Sequence, residues 1–350
     1  MSTLTETAYY TRRAVNWVIL GVIGYIILRT LFSIILMIWV AVFPPKAPPP
    51  NHAFNKLPAL HFPQQATPSG QLSFQLQTIQ GTVPDASPSA TVYFMPKSAS
   101  NLLALNQAQS FAKNLQLDPT PIQETKNIYR FNDSIFPLRA LRFDIISSNF
   151  IVRYAYERDL SIFSEKNLPS SDEAQQETLN MLQLYNLNHD DFTGGSITVS
   201  FFKLIGDQLV PTTSLSQADA ERVDMFRKPI GNISLFTPIP DQGPISVIFS
   251  GSSEAKKHII QFAYSYWPID YQTTATYALK TSNEAWTELQ NGQGYIARYP
   301  TNSTTAVVRN VYLGYYDSFD AQNYLQPIFV FEGDNGFLGY VPAVDNVWVE

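Results

Sequence analysis

An apolar run of 30 residues, Ala14 to Phe43, constrains this chain more than any other feature. Its strongly polar side chains are Asn16, Arg29, Thr30 and Ser33. A helix apolar on every face for this length is foreign to a soluble core, and it exceeds the roughly 20 residues that a membrane span needs. At 1.5 Å rise per residue it reaches about 45 Å, more than the hydrocarbon layer, so the helix tilts or its first turns lie outside the bilayer. It is also longer than the apolar region of a cleaved signal peptide, and no small-x-small cleavage pattern follows Phe43. The expectation is an uncleaved signal anchor over 14–43. Arg12 and Arg13 precede it and Lys46 follows, so the positive-inside rule places residues 1–13 in the cytoplasm and the large C-terminal part outside the cell membrane.

Arg29 allows two readings. If the true span starts near Ile26, Arg29 lies one turn from the inner face and snorkels to it. Alternatively Gly21, Tyr25, Arg29 and Ser33, spaced every four residues, form one small and polar stripe of the kind that membrane helices use to contact a partner.

A Pro-rich strip (Pro44, Pro45, Lys46, Ala47, Pro48, Pro49, Pro50) opens a linker expected over 44–70, extended and semi-rigid. Beyond Phe43 there are 20 basic and 28 acidic residues and no basic tract, which argues against a nucleic-acid partner. The absence of cysteine excludes disulfides, thiol catalysis and Cys-ligated zinc, and fits a bacterial envelope protein.

The remainder reads as α+β: an N-terminal transmembrane helix, a Pro-rich stalk, then two helix-plus-antiparallel-sheet modules at 71–165 and 166–350. In the first, strands are expected near 72–79, 90–95, 128–132, 138–146 and 150–156, with a helix over 101–117 at helical apolar spacing. Arg139, Arg142 and Arg153 are expected on solvent-facing strand positions. In the second, Ser170 and Glu173 have capping-box spacing and open a helix to about Leu184. A strand over 197–204, a turn at Asp207-Gln208 and a second helix over 216–226 follow. Strands are expected over 245–249 and 259–267, the latter pairing with 274–280. Thr281 and Glu284 open a short helix that Gly292 and Gly294 end. The last strands run over 307–316 and 324–332, with a hairpin through Asp334-Asn335-Gly336. Leu-Gln-Leu recurs at 115–117 and 182–184, each time at a helix end.

No constellation in the chain calls for catalysis. His52 and His61 fall in the linker, His189-Asp190-Asp191 reads as a solvated turn, and His258 as an exposed strand start. Gly251-Ser-Ser253 lacks the context of a nucleophile elbow. Asp172-Glu173 and Asp317 with Asp320 are acidic pairs at a helix start and a turn. No cofactor, metal or enzymatic role is expected. The Tyr and Trp residues from Tyr264 to Tyr324 read mainly as sheet packing, with an aromatic binding face as the alternative.

One pattern spans residues 166–345. Arg227, Pro229, Ile230 and Gly231 precede a strand; Glu284-Ala-Trp286, Leu289, Gly292 and Gly294 follow. Then come Val311, Leu313, Tyr315 and Tyr316, Tyr324-Leu-Gln-Pro-Ile-Phe-Val-Phe-Glu-Gly333, and Tyr340-Val-Pro-Ala343. This part resembles the extracytoplasmic portion of YycH/YycI-like proteins, accessory regulators of a bacterial cell-wall sensor kinase. The Pro-rich stalk with Phe54, Lys56, Leu57 and Pro58 departs from that pattern and looks more like uncharacterised single-pass envelope proteins. The resemblance implies a non-catalytic exterior domain that regulates or scaffolds a membrane or envelope protein partner, anchored by residues 14–43 in the lipid bilayer. The alternative is an exterior domain that binds a small ligand or a glycan.

Overall fold

The computed structural model describes residues 4–42, 49–64, 72–99 and 101–350. It divides into two units, Met1–Pro48 and Pro49–Glu350. The first holds one helix, α1 (Leu4–Val42), which begins ten residues ahead of the apolar run. Val15–Met37 has a mean hydropathy of 2.3 and is long and apolar enough to cross a membrane. All its side chains are exposed. Thr30 and Ser33 turn their hydroxyls back to the carbonyls of Ile26 and Arg29, at 2.8 and 3.0 Å, so neither polar group needs an external partner.

The second unit contains, in chain order, β1 (Ser73–Leu76), β2 (Ser89–Phe94), α2 (Ala104–Asn114), β3 (Ile122–Gln123), β4 (Ile128–Asn132), β5 (Arg139–Asp144) and β6 (Phe150–Tyr154). Next come α3 (Ser171–Leu184), β7 (Ile197–Ile205), β8 (Gln208–Thr212), β9 (Ala220–Met225), β10 (Leu235–Phe236), β11 (Ile245–Ser250), α4 (Ala255–His258), β12 (Ile259–Tyr264) and β13 (Asp270–Ala278). The chain ends with α5 (Ser282–Gln290), β14 (Tyr295–Arg298), β15 (Thr305–Tyr316), β16 (Tyr324–Leu325), β17 (Pro327–Gly333) and β18 (Leu338–Pro342).

Nine strands form one antiparallel sheet in the order β3-β4-β5-β6-β12-β11-β9-β7-β8. Alternating residues such as Leu141 and Phe143, Phe150 and Val152, and Val223 and Met225 point to one face. There they bury against the small residues of α2 (Ala108, Ala112) and α3 (Ala174), which let both helices approach closely. α3 starts with the expected capping box, Ser170 and Glu173 bonding each other's backbone N–H. A second sheet, β1-β15-β17-β18-β14 with β10 also on β15, and a three-stranded sheet β13-β2-β16 share a core that includes Val92, Tyr277, Phe329 and Phe331.

Several expectations change. The boundary at 165/166 is crossed by the nine-stranded sheet, in which β6 pairs with β12. The helices expected to head two modules lie on one face of that sheet. Residues 216–226 hold β9, not a helix. The helix-favouring Ala218-Asp-Ala-Glu-Arg222 is overridden because β9 is paired on both sides, to β7 and β11. β13 pairs with β2 rather than with β12. Arg139 is not on a free surface: its guanidinium bonds the Leu115 carbonyl at 3.0 Å and Asp133 at 3.2 Å. Arg142 and Arg153 are exposed, as expected. The turn at Asn335-Gly336 is left-handed at both residues, φ 55° and 75°, as the Asn-Gly step demands.

The linker expected over 44–70 is partly a packed segment; its residues 44–48 and 65–70 lie outside the described residues. Leu57 is fully buried and lies parallel to Val349, exchanging bonds with Trp348 and Glu350 at 2.8 and 2.9 Å. His52 stacks on Trp348 with ring centroids 3.6 Å apart, and Phe62 on Tyr295 at 4.8 Å. The segment turns at His52–Asn55, where both end residues are left-handed, and Pro58 and Pro63 favour an extended backbone beyond it. Its apolar side chains then give it a reason to lie on the domain.

Candidate binding cleft

β9 leaves the nine-stranded sheet at Met225 and the chain passes over to β10, which belongs to the second sheet. This crossing builds a cleft of about 700 Å³. One wall is the outer face of β7, with Ser196, Thr198 and Ser200; the other is the segment from Ser234 to Asp241. Thr237 pins that second wall by donating to the carbonyls of Ile239 (2.8 Å) and Gln242 (2.9 Å). Tyr295 and Tyr340 tie it to the second sheet through the carbonyls of Pro238 and Thr237, at 3.0 and 3.2 Å. Gly195 is required where β7 begins: a Cβ there would strike the Phe226 carbonyl.

Arg227 lies at the base of the cleft, but its guanidinium turns inward and is almost fully buried. It donates to Asp317 at 3.0 Å, to Asp191 at 2.5 Å and to the Trp267 carbonyl at 2.6 Å. Its carbon sits 4.8 Å from the centre of the Tyr266 ring. Asp191 also accepts from Tyr271 at 2.8 Å and Tyr266 at 3.3 Å. Burial works against the guanidinium charge, and Asp317 and Asp191 more than offset it, holding its pKa above the usual range. Burial, with Asp191 next, pushes the Tyr266 phenol up to about 12. His189 stacks on Tyr266 at 3.7 Å, and burial lowers its pKa.

The cleft's other charges are also spoken for. Arg222 pairs with buried Asp224 at 2.5 Å and bonds the Asp241 carbonyl, and the Asp241 carboxylate pairs with Arg298. The β7 wall therefore offers hydroxyls, the opposite wall adds the apolar Leu235, Phe236 and Pro240, and the two charged residues that line the cleft, Arg227 and Asp241, are both paired.

The structure relocates the residues singled out by sequence. Asp191 is a buried ion partner rather than part of a solvated turn, and Asp317 joins it through Arg227, whereas Asp320 remains exposed. Glu173 serves the α3 cap. His258 is half-buried against Glu177 at 3.2 Å rather than exposed. Among the described residues no group of His, Asp and Glu could hold a metal ion. Gly21, Tyr25, Arg29 and Ser33 lie on α1, all exposed. Most aromatics from Tyr264 to Tyr324 are buried or half-buried, Tyr271 and Tyr312 being the most exposed of them. The Arg227 cluster escaped the sequence reading because its acids are 36 and 90 residues away. The available signal was that each of the three charges abuts an aromatic residue: Asp191-Phe192, Phe226-Arg227, Tyr316-Asp317.

No family model and no curated protein matches the chain. Among solved structures, an uncharacterized protein from Eubacterium rectale ATCC 33656 is similar at a TM-score of 0.38 and 15% identity, over 74% of this chain and 84% of the other.

Proposed function

We propose that this is a membrane-anchored, non-catalytic binding protein whose exterior domain engages another envelope protein. The observation that carries this reading is the cleft, with a hydroxyl-lined wall on β7, a pinned second wall and both of its charged lining residues, Arg227 and Asp241, paired. Such a surface supplies directional hydrogen bonds without an activated nucleophile or an ionic ligand site. α1 supports anchoring, in the orientation with residues 1–13 in the cytoplasm. The Gly21, Tyr25, Arg29 and Ser33 stripe is then a second contact to the same membrane-embedded partner. The similarity to YycH/YycI-like regulators fits such a role. The test is in-cell photocrosslinking with a benzophenone amino acid at Thr198 and at Gly21. Recovery of one and the same envelope protein from both positions is expected; no crosslink from either refutes the reading. Unchanged recovery with Arg29→Leu would remove the arginine from it.

A glycan is the second reading, favoured by the hydroxyl side chains Ser196, Thr198, Ser200 and Ser234, which line the cleft together with Phe236. Binding to a cell-wall glycan array that Thr198→Lys abolishes would establish it.

A further inference from the structure

We propose that the first half of β7 is an acceptor for an added strand: an extended segment of the partner polypeptide pairs with Ile197–Ser200 and lays alternate side chains in the cleft. This rests on the binding reading above and specifies its chemistry. β9 pairs with β7 from Ile197 to Phe202, but β8 pairs only from Phe201 to Ile205. Among the described residues, one flank of Ile197–Ser200 therefore carries no strand.

The direction of the backbone groups follows from the ladder. The carbonyls of Ser196 and Phe202 accept from Phe226 and Asp219, on the β9 side. Even-numbered residues thus turn their N–H and C=O to β9, and odd-numbered ones turn theirs to the other flank, as alternation in an antiparallel pair requires. From Phe201 onward β8 satisfies that flank. At Ile197 and Val199 no described residue does, which leaves two N–H and two C=O groups free for four ladder bonds.

The same edge is protected further along. β8 turns Leu209 and Pro211 outward, and a proline there blunts strand addition. Ile197–Ser200 has no proline and no charged residue. The occupant's chemistry follows from the two faces of the notch. Side chains over the cleft meet the hydroxyls of Ser196, Thr198 and Ser200, face Leu235, Phe236 and Pro240 across it, and find Arg227 and Asp241 already paired, so they are uncharged and carry a polar group for β7. The alternate ones continue the apolar surface of Ile197 and Val199 and are β-branched or apolar. Backbone bonds provide affinity and the two-residue alternation provides specificity.

The test uses the full chain in lipid nanodiscs and a displayed library of random dodecapeptides. Selection should converge on alternating polar and β-branched sequences. Val199→Pro removes an outward N–H and leaves the β9 ladder whole; it should weaken the selected peptides about tenfold or more, whereas Val199→Ala, which also loses the packing of Val199 on the core but keeps the N–H, should not. Peptide binding should also slow amide exchange at Ile197 and Val199. Failure to converge, equal binding to Val199→Pro, or no protection at these amides overturns strand addition. If Val199→Pro proves unstable, the exchange measurement on the unmodified chain decides alone. Should crosslinking from Thr198 still yield an envelope protein, strand addition fails while the binding reading stands; loss of both refutes both.

Discussion

The two sheet assemblies of the domain use the chain in opposite ways. The nine-stranded sheet draws all its strands from residues 122–264, and most neighbours in it are close in sequence. The second assembly collects β1, β2 and β10, the whole stretch from β13 to β18, and the packed segment around Leu57. Its pairings include Ser73 with Thr305 and Leu57 with Val349, each more than 200 residues apart. One region is thus held by local pairing and the other by closure of the chain's distant parts. The Arg227 cluster stands between them, with Asp191 and Tyr266 adjoining the first assembly and Asp317 and Tyr271 belonging to the second.

Breaking that junction should have the largest effect. Arg227→Met leaves Asp191 and Asp317 buried without their cation and should cost about 3–5 kcal/mol in chemical denaturation. Replacing both acids by Asn in the same protein should recover much of the loss, because the cost lies in the uncompensated charges. A loss below 1 kcal/mol would mean that the assemblies stay joined without the cluster. Leu57→Ala probes closure next. Leu57 is fully buried, so about 2–5 kcal/mol is expected, and amide exchange should quicken in the C-terminal segment at Glu350, which bonds its carbonyl. If residues 49–64 were a free linker, the substitution would be silent.

The same contrast decides what was legible in the sequence. Most strands of both assemblies, the three expected helices that exist and both capping boxes follow from period, caps and turn chemistry. Arg142 and Arg153, which alternate with core residues, mark the outer face of the nine-stranded sheet, whereas Arg139, expected there too, turns to Asp133 and the Leu115 carbonyl. Period alone does not say which strand pairs with which, so it points β13 to β12 where the fold pairs it with β2, and it splits one sheet between two modules. β9 failed for a different reason: its local composition favours helix and only pairing on both sides makes it a strand. The cleft was hidden because its walls come from two sheets. The apolar helix is legible as a helix, since it depends on no pairing at all, although it begins at Leu4, ahead of the apolar run.

Both assemblies bury phenols that burial keeps neutral under ordinary conditions, Tyr264 in the first and Tyr315, Tyr316 and Tyr340 in the second. The first also buries an acid in one of its central strands. Glu221 is fully buried on β9 between Phe201 and Phe249, and among the described residues no well-formed hydrogen bond reaches its carboxylate, the Ser171 hydroxyl being a weak neighbour. Burial raises its pKa above 4.5, with nearby Ser171 acting the other way. The folded state therefore holds this proton more tightly than the unfolded chain. The resulting stability is complete below pH 4.5 and is lost as pH rises through the folded value. Glu221→Gln should raise the melting temperature at pH 8 relative to the parent and flatten its decline above pH 4.5. An equal or lower melting temperature at pH 8 would show that the carboxylate is accommodated in its charged form.

The smallest effect lies on the same face and separates the assemblies most finely. His258 bridges α4 to Glu177 on α3, 3.2 Å away. That bond, against the opposing influence of burial, raises the histidine pKa above 6.5. A raised histidine stabilises the fold fully below pH 6.5, and the contribution fades as pH climbs through the folded value. Both side chains keep solvent contact, 24% and 39%, so screening limits the pair to about 0.5 kcal/mol. His258→Gln should therefore remove a small stability difference between pH 6 and pH 9, read from urea titrations. Native-state exchange should place that difference in α3 and in β11 and β12, next to the bridge, and leave β17 and β18 unchanged. An equal pH response in β17 and β18 would mean that the two assemblies unfold as one cooperative unit, and that the Arg227 junction transmits what the local bridge begins.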